Sequence, residues 1–492
     1  MKTNNQEHKP DKLHTISEFR REVGIPLVLA RRLIIWGEVK TIKVLDGTLR
    51  ITETEVLRAK ELLKNPFKRA HLYLKALGPG LITGASDDDP SGIGTYSSVG
   101  AQFGLAILWT AFWLLPIMIA VQEVCARIGI VTNKGLAGVL QKHYRKRIVM
   151  GAVVLLIIAN VANIGADIGA MAASLKMLVG INFYLAAIFF AAVMVGVEIF
   201  VRYHVYVKFL KWLTISVFAY VVTGIIIRPD WLDIARHTFI PRIQFNETFI
   251  FALIAIFGTS ITPYLFFWQA SEEVEENKML QKNIQDGNVP QDDKIVADGM
   301  RGRIFRMRTD VYTGMILANV VFFFIVLTTA QVLFRNGITN ISSAEGAALA
   351  LRPLAGNYAY LLFAIGIIGT GLLAVPVLAG SGAYALAEVM KWREGLELKF
   401  SRAKGFYLVI TFSVLIGLAL NFFHINPIAA LYYAAYLNGI IALPLLIVIM
   451  IIGNDKKIMG EETHPKWVKF FGWLAVGFMA AAVILTAYLA FK

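Results

Sequence analysis

The run Gly78-Pro79-Gly80-Leu81-Ile82-Thr83-Gly84-Ala85-Ser86-Asp87-Asp88-Asp89-Pro90-Ser91-Gly92-Ile93-Gly94 puts three consecutive carboxylates, a proline and several glycines inside an apolar stretch of membrane-spanning length. A charged side chain at the middle of a bilayer costs about 2.5–3.5 kcal/mol on insertion scales, so such residues face a polar cavity and mark a pathway. Proline removes a backbone donor and clashes with the preceding turn. Glycine tolerates the unwound backbone that follows. Irregular backbone at membrane depth survives only where protein buries it or where it lines a cavity. Residues 74–104 are therefore expected to form a broken helix whose break holds a cation. The alternative is a proline kink, with Asp87 to Asp89 in a solvated loop between two shorter segments. Apolar sequence close on both sides of the acids favours the break.

Composition agrees with a membrane setting. Of the 492 residues, 57% are hydrophobic, and the mean hydropathy of +0.61 marks a polytopic membrane protein. About eleven spans are expected, near 74–104, 105–128, 148–172, 184–201, 208–227, 249–269, 312–335, 358–386, 405–422, 430–452 and 469–490. The connecting segments 134–147, 202–211, 278–308, 391–404 and 456–469 are rich in Lys and Arg, and the segments between them are not. The positive-inside rule then places the chain in the cell (inner) membrane with its N-terminus cytoplasmic and its C-terminus outside. The net charge of +14 is read first as this topology. The polar first seventy residues carry no apolar region near the start, so no signal peptide is expected. The single cysteine, Cys125, excludes an intrachain disulfide and reads as a small packing residue.

The sixth span repeats the device of the first. It reads Ile256-Phe257-Gly258-Thr259-Ser260-Ile261-Thr262-Pro263-Tyr264-Leu265, with glycine and proline mid-span among hydroxyl residues. Two interrupted segments five spans apart point to an inverted-repeat transporter with its site at the midplane. Unwound carbonyls and half-helix ends then face each other and coordinate ions.

These residues are similar to those of the NRAMP family of proton-coupled divalent metal transporters. The family follows Gly-Pro-Gly-Leu with Asp-Pro-Gly-Asn; here the match is Asp89-Pro90-Ser91-Gly92. The stretch from Gln122-Glu123-Val124 through Arg127-Ile128-Gly129 to Thr132 resembles the end of its second span. Asp167, in Gly165-Ala166-Asp167-Ile168, resembles its third-span aspartate. The sixth span aligns on Pro263, and Tyr384 falls in the eighth. The resemblance covers about residues 74–452 and implies an all-α membrane protein with a LeuT-like inverted 5+5 repeat and broken helices 1 and 6. The departures are specific. The family's metal-binding asparagine is Gly92, its methionine is Thr262, its following histidine is Tyr264, and the glutamate after the third-span aspartate is Ala170. A tenth-span glutamine falls near Tyr436, with Asn438 close by. The chain thus looks like a divergent branch.

Thioether ligands select softer transition metals, whereas carboxylate, hydroxyl and carbonyl suit Mg²⁺, Ca²⁺ or Mn²⁺. Threonine in place of methionine makes the expected shell nearly all oxygen. Asp89 is the expected central anionic ligand. The Ser86 and Thr259 carbonyls, the Thr262 hydroxyl and Asn438 complete the shell, and Asp88 adds or guides charge. Gly92 is expected to make room for a hydrated, hard cation of the Mn²⁺/Mg²⁺ class. Asp167 and Glu123 are the candidate proton relays, although Glu123 beside Arg127 on one helix face also reads as a structural pair. With the family's histidine and glutamate missing, weak or absent proton coupling is expected. The acids Glu272, Glu273, Glu275 and Glu276 read as a solvated face leading into a polar loop over 277–305.

Residues 1–70 read as a separate small α+β cytoplasmic domain, with the transporter domain over 71–492. Thr15 with Glu18 and Thr52 with Glu55 make capping boxes. Between them lie Gly24-Ile25-Pro26, a helix over 27–36, and a hairpin from 40–44 to 49–51 through Asp46-Gly47. The pattern resembles the winged helix-turn-helix of excisionase-type and MerR-type domains, which implies nucleic-acid or partner contacts through Arg31, Arg32 and Lys40. A docking domain that kept the fold and lost DNA binding is the alternative.

The expected partners are a divalent metal ion as substrate, protons, the lipid bilayer and, through the N-terminal domain, nucleic acid. No cofactor is expected, and a monomer. No nucleophile–base constellation, Walker loop or Cys/His cluster suggests an enzyme. A rival reading is a membrane-anchored metal sensor signalling through the N-terminal domain. An amino-acid transporter of the same architecture would not need clustered aspartates at the break.

Overall fold

The computed structural model describes residues 12–25, 30, 39–44, 49–64, 83–84, 86–201, 214–285, 299–396 and 398–490. The chain divides into two units. One is Met1–Gly78 with Glu276–Asp310, and the other is Pro79–Glu275 with Val311–Lys492.

In the first unit, β1 (Leu13–His14) leads into α1 (Ile16–Val23), and β2 (Ile42–Lys43) and β3 (Leu49–Thr52) lead into α2 (Glu53–Lys64). Thr15 starts α1 because its hydroxyl accepts the Glu18 amide while the Glu18 carboxylate accepts the Thr15 amide, the reciprocal bonds of a capping box. Gly24 ends α1 in the left-handed region, at φ 71°. The strands form an antiparallel sheet in the order β1-β3-β2, with His14 opposite Ile51 and Ile42 opposite Arg50. Phe19, Ile51 and Val56 are fully buried at its core.

The second capping box forms only halfway. The Glu55 amide donates to the Thr52 hydroxyl, but the Glu55 carboxylate turns to the Lys40 amide and the Arg58 guanidinium. β1 is a strand that the sequence reading did not contain. Lys40 is exposed at its side chain. Arg31, Arg32, the 27–36 helix and the Asp46-Gly47 turn lie outside the described residues.

The membrane unit is helical. Its main elements are α3 (Pro90–Phe103), α4 (Trp109–Thr132), α5 (Lys146–Val179), α6 (Phe183–Phe200), α7 (Ala219–Ile226), α8 (Trp231–Phe239) and α9 (Glu247–Ser260). They are followed by α10 (Pro263–Gln285), α11 (Gly299–Val332), α12 (Ala359–Met390), α13 (Lys404–Leu420), α14 (Pro427–Asn454) and α15 (Lys466–Ala490). Among the described residues, nine helical stretches are long and apolar enough to cross a membrane, or ten with the pair Ile215–Ile226 and Trp231–Phe239, bent by 119°. The outer helices keep apolar side chains exposed, among them Leu185, Phe189, Phe412, Ile416, Phe470 and Ile484. Lipid is the solvent that makes such a surface stable.

The sixth span breaks where expected. α9 stops at Ser260 and α10 starts at Pro263, which brings no amide to the ladder and pushes Thr262 away from helical backbone. α9 also lies unusually close to α14. A Cβ on Gly258 would stand 2.0 Å from the Ala435 carbonyl oxygen and 2.4 Å from the Gly439 amide nitrogen, so only glycine fits there.

Two expectations are corrected. The acids of α10 are not all a solvated face. Glu273 is buried and accepts the Gln269 side-chain amide, and Glu275 accepts the Tyr384 hydroxyl at 2.6 Å. Nor is 277–305 one loop, since α10 runs to Gln285 and α11 starts at Gly299. Both helices carry enough Gln, Lys, Met and Arg, all good helix formers, to continue past the apolar core.

Candidate metal centre

Pro90 decides the local structure of the first break. It is the first residue of α3, a position that needs no amide donor, and it leaves Asp89 as the N-cap in extended backbone at φ −67° and ψ 170°. Asp89 Oδ1 accepts the Gly92 amide at 2.6 Å. One carboxylate oxygen is thereby spent on the cap, and Oδ2 remains. The second break has the same grammar, with Pro263 as the first residue of α10. Each span thus offers the carbonyl end of one half-helix and the amide end of the next, separated by two unwound residues.

The two breaks are joined by side chains. Tyr264 Oη donates to the Ser86 carbonyl at 2.7 Å and lies 3.4 Å from Asp89 Oδ2. Tyr96 Oη and Ser260 Oγ are hydrogen-bonded at 2.8 Å. Thr83 donates to Gln269 at 2.5 Å, and Gln269 in turn donates to Glu273 at 3.0 Å. Asp87, Asp89, Ser86, Thr259 and Thr262 are all at most 2% exposed, and Asp88 is 8% exposed. Ser86 Oγ, Asp87 Oδ1, Asp88 Oδ1 and Thr262 Oγ1 are buried without a hydrogen bond. Unsatisfied oxygens at this density are costly, by about 1–3 kcal/mol for each neutral group and more for a charge. A cation satisfies several such oxygens at once without itself needing an acceptor.

The remaining candidates divide. Asp167 on α5 is fully buried, lies within electrostatic reach of Asp89, and has two carboxylate oxygens without a hydrogen bond. Asn438 on α14 is buried, and its side-chain oxygen is engaged by the Asn163 amide at 2.8 Å. Tyr436 instead stacks on Phe251, with ring centroids 3.9 Å apart. Glu123 is away from this group of oxygens in its bonding. It pairs with Arg127 at 2.5 Å and accepts the Tyr312 hydroxyl at 2.6 Å, so the structural pairing holds here. A buried pair of this kind is costly to break, by about 3–5 kcal/mol, because the partner is left charged and alone.

Three features differ from the sequence expectation. The Ser86 carbonyl, an expected ligand, also accepts the Tyr264 hydroxyl. Asn438 is committed to Asn163. Gly92 opens no space, because a Cβ there would stand 2.9 Å from the Asp87 carbonyl oxygen. The missing side chain lets the unwound backbone fold back on itself and does not widen a cavity. Tyr264, Gln269 and Asn163 were not singled out as site residues. Tyr264 carried a signal, since it replaces the family's histidine two residues after the ligand position; the other two carried none.

The family model described as "Natural resistance-associated macrophage protein-like" matches residues 80–489. The chain belongs to the Nramp family. Among curated relatives, the divalent metal cation transporter MntH of Klebsiella pneumoniae is 24% identical over 418 residues, covering 83% of this chain and 92% of that protein. Among solved structures, the manganese transporter of Eremococcus coleocola bound to an aromatic bis-isothiourea compound superposes with a TM-score of 0.67 at 18% identity, covering 83% of this chain and 85% of that one. A histidine-to-alanine mutant of the same transporter gives 0.65 at 17% identity with the same coverage. The Nramp fold with its interrupted spans is therefore the fold of this chain, an all-α membrane architecture as expected from the paired breaks. Residues 1–79 fall outside the matched range.

Proposed function

We propose that this protein is a secondary transporter that moves divalent metal cations of the Mn²⁺/Mg²⁺ class across the membrane by alternating access. The observation that carries the reading is Asp89, a buried carboxylate at the break of the first span, with Tyr264 of the second interrupted span beside it and bonded to the Ser86 carbonyl. Asp89, Ser86, Thr259 and Thr262 supply the shell, with Asp88 as a further charge and Asn438 reaching it only if it leaves Asn163. All these donors are oxygens, which suits hard cations over cadmium-like ones.

The protein's part in the cycle follows from bonding and burial. With the oxygens this buried, the arrangement corresponds to a closed site. Opening toward either side separates the Tyr264–Ser86 and Tyr96–Ser260 bonds that join the two breaks. An entering dication takes the place of the Tyr264 hydroxyl at the Ser86 carbonyl, so binding and the release of that latch are linked. Proton coupling is weak in this scheme. Tyr264 and Ala170 stand where family members resembling the chain carry histidine and glutamate, Glu123 is held by Arg127 and Tyr312, and Asp167 is left as the one relay beside Asp89.

Two results are expected. Tyr264→Phe removes the competitor at the Ser86 carbonyl. Since a net hydrogen bond is worth about 1 kcal/mol, Mn²⁺ affinity by calorimetry should rise about fivefold. A fall in affinity would make Tyr264 a ligand and not a latch. Thr262→Met adds a thioether to the shell, and Cd²⁺ should then compete with Mn²⁺ about tenfold better than in the wild type, in a flux competition assay. An unchanged Cd²⁺ ranking would remove Thr262 from the shell. Vesicles with an internal pH dye report coupling, and acidification that tracks metal uptake one for one would contradict the weak-coupling scheme.

A further inference from the structure

We propose that His14, Glu22 and Glu53 of the N-terminal unit form a binding site for one divalent transition-metal ion, built from residues other than those at the Asp89 break. Strand register brings the three together. His14 lies opposite Ile51 and Leu13 opposite Thr52, so Glu53, the first residue of α2, follows directly on the paired strand. The Glu53 amide donates to the Lys12 carbonyl at 2.9 Å and fixes that corner. On α1, buried Phe19 sets the inward face, and Glu22 lies three residues further along the same side.

One ligand atom from each of His14, Glu22 and Glu53 lies within 4.8 Å of the other two. Ligands on a common ion at about 2.0–2.2 Å stand about 3–4 Å apart, a distance that small rotations of two glutamates reach. Glu22 is exposed, Glu53 half-buried and His14 only 1% exposed. The imidazole is therefore the fixed ligand and the carboxylates are the adjustable ones.

Donor counting points to a cation. Glu22 Oε1 lies 3.4 Å from His14 Nδ1, and Glu53 Oε2 touches His14 Nε2. A neutral imidazole has one N–H and one lone pair. One of the two carboxylates then faces a lone pair in a buried setting, which is repulsive. A cation relieves that repulsion, either a proton on the ring or a metal ion on one ring nitrogen. Lys60 holds the other Glu22 oxygen, Oε2, at 2.8 Å. That bond leaves Oε1 aimed at the imidazole. A hydrogen-bonded outer partner of this kind orients a ligating carboxylate.

The donor set names the ion class. One imidazole with two carboxylates suits Mn²⁺, Fe²⁺, Co²⁺ or Zn²⁺ over Mg²⁺ and Ca²⁺, which prefer oxygen throughout. Three protein ligands leave the remaining positions to water. Binding ties β1, the end of α1 and the start of α2 into one cluster, so the fold of this unit responds to metal concentration.

Nitrogen is the discriminating ligand, because the proposed transport site coordinates through oxygen alone. The full-length Asp89→Ala protein is purified in detergent, loaded with Mn²⁺ as the probe and measured by pulsed electron paramagnetic resonance. The expected result is a ¹⁴N modulation from a bound imidazole that disappears in Asp89→Ala/His14→Gln. Glu22→Gln, an exposed change outside the core, should weaken this Mn²⁺ at least tenfold while the unfolding temperature stays put. Absence of nitrogen modulation, the outcome of a triad closed by a proton alone, overturns the assignment. So does a modulation that survives His14→Gln. Transport that persists in Asp89→Ala would remove the transport reading and leave this one standing.

Discussion

Proteoliposomes carrying Asp89→Ala should take up Mn²⁺ no faster than protein-free vesicles. The change removes a buried carboxylate from a cluster in which four other oxygens already lack hydrogen bonds. Losing the charged partner of a buried ion costs about 3–5 kcal/mol, or roughly a hundred- to several thousandfold in affinity. Asp89 is also the N-cap of α3, and a lost cap alone costs about 1 kcal/mol of stability. Asp89→Asn separates the two roles. Asparagine keeps an oxygen for the Gly92 amide and gives up the charge, so it should retain the wild-type unfolding temperature and still lose uptake. Uptake that survives in Asp89→Asn would mean the carboxylate serves the helix terminus and not the ion.

Gly258→Val should unfold or misassemble the membrane unit. Its Cβ would fall inside the van der Waals radii of the Ala435 carbonyl and the Gly439 amide, and both are backbone atoms that cannot rotate away. Overpacking typically costs about 1–3 kcal/mol where side chains can give, and more where backbone must move. The expected readout is a loss of the monodisperse peak in fluorescence-detected chromatography, or an unfolding temperature lowered by many degrees. Gly151→Ala is the control. Nothing lies within 4 Å of its Cβ on α5, so helix propensity alone should leave it neutral or slightly stabilised. Equal behaviour of the two variants would contradict the close approach of α9 and α14.

The features legible in the sequence were the local ones. Asp89-Pro90 and Thr262-Pro263 announce their breaks because proline acts on its own neighbours, and the Thr15–Glu18 box announces a helix start for the same reason. Tyr264 with Ser86 and Asn163 with Asn438 were not legible. Those partners are 178 and 275 residues apart, and nothing short-range in either stretch encodes them. Gly92 misled for a related reason. From sequence, a missing side chain reads as added space, whereas the folded chain fills that space with its own Asp87 carbonyl. The α10 acids misled too, since charge alone suggests solvent, and the Tyr384 hydroxyl that receives Glu275 comes from α12, over a hundred residues away.

Anomalous X-ray scattering from crystals of the full chain soaked with Mn²⁺ tests the central claim most directly. The account predicts a peak at the break of the first span, about 2.1–2.3 Å from Asp89 Oδ2 and flanked by the Ser86 carbonyl and the Thr262 hydroxyl. A first and a sixth span that run unbroken in those crystals, or Mn²⁺ peaks found only away from Asp89, would contradict it.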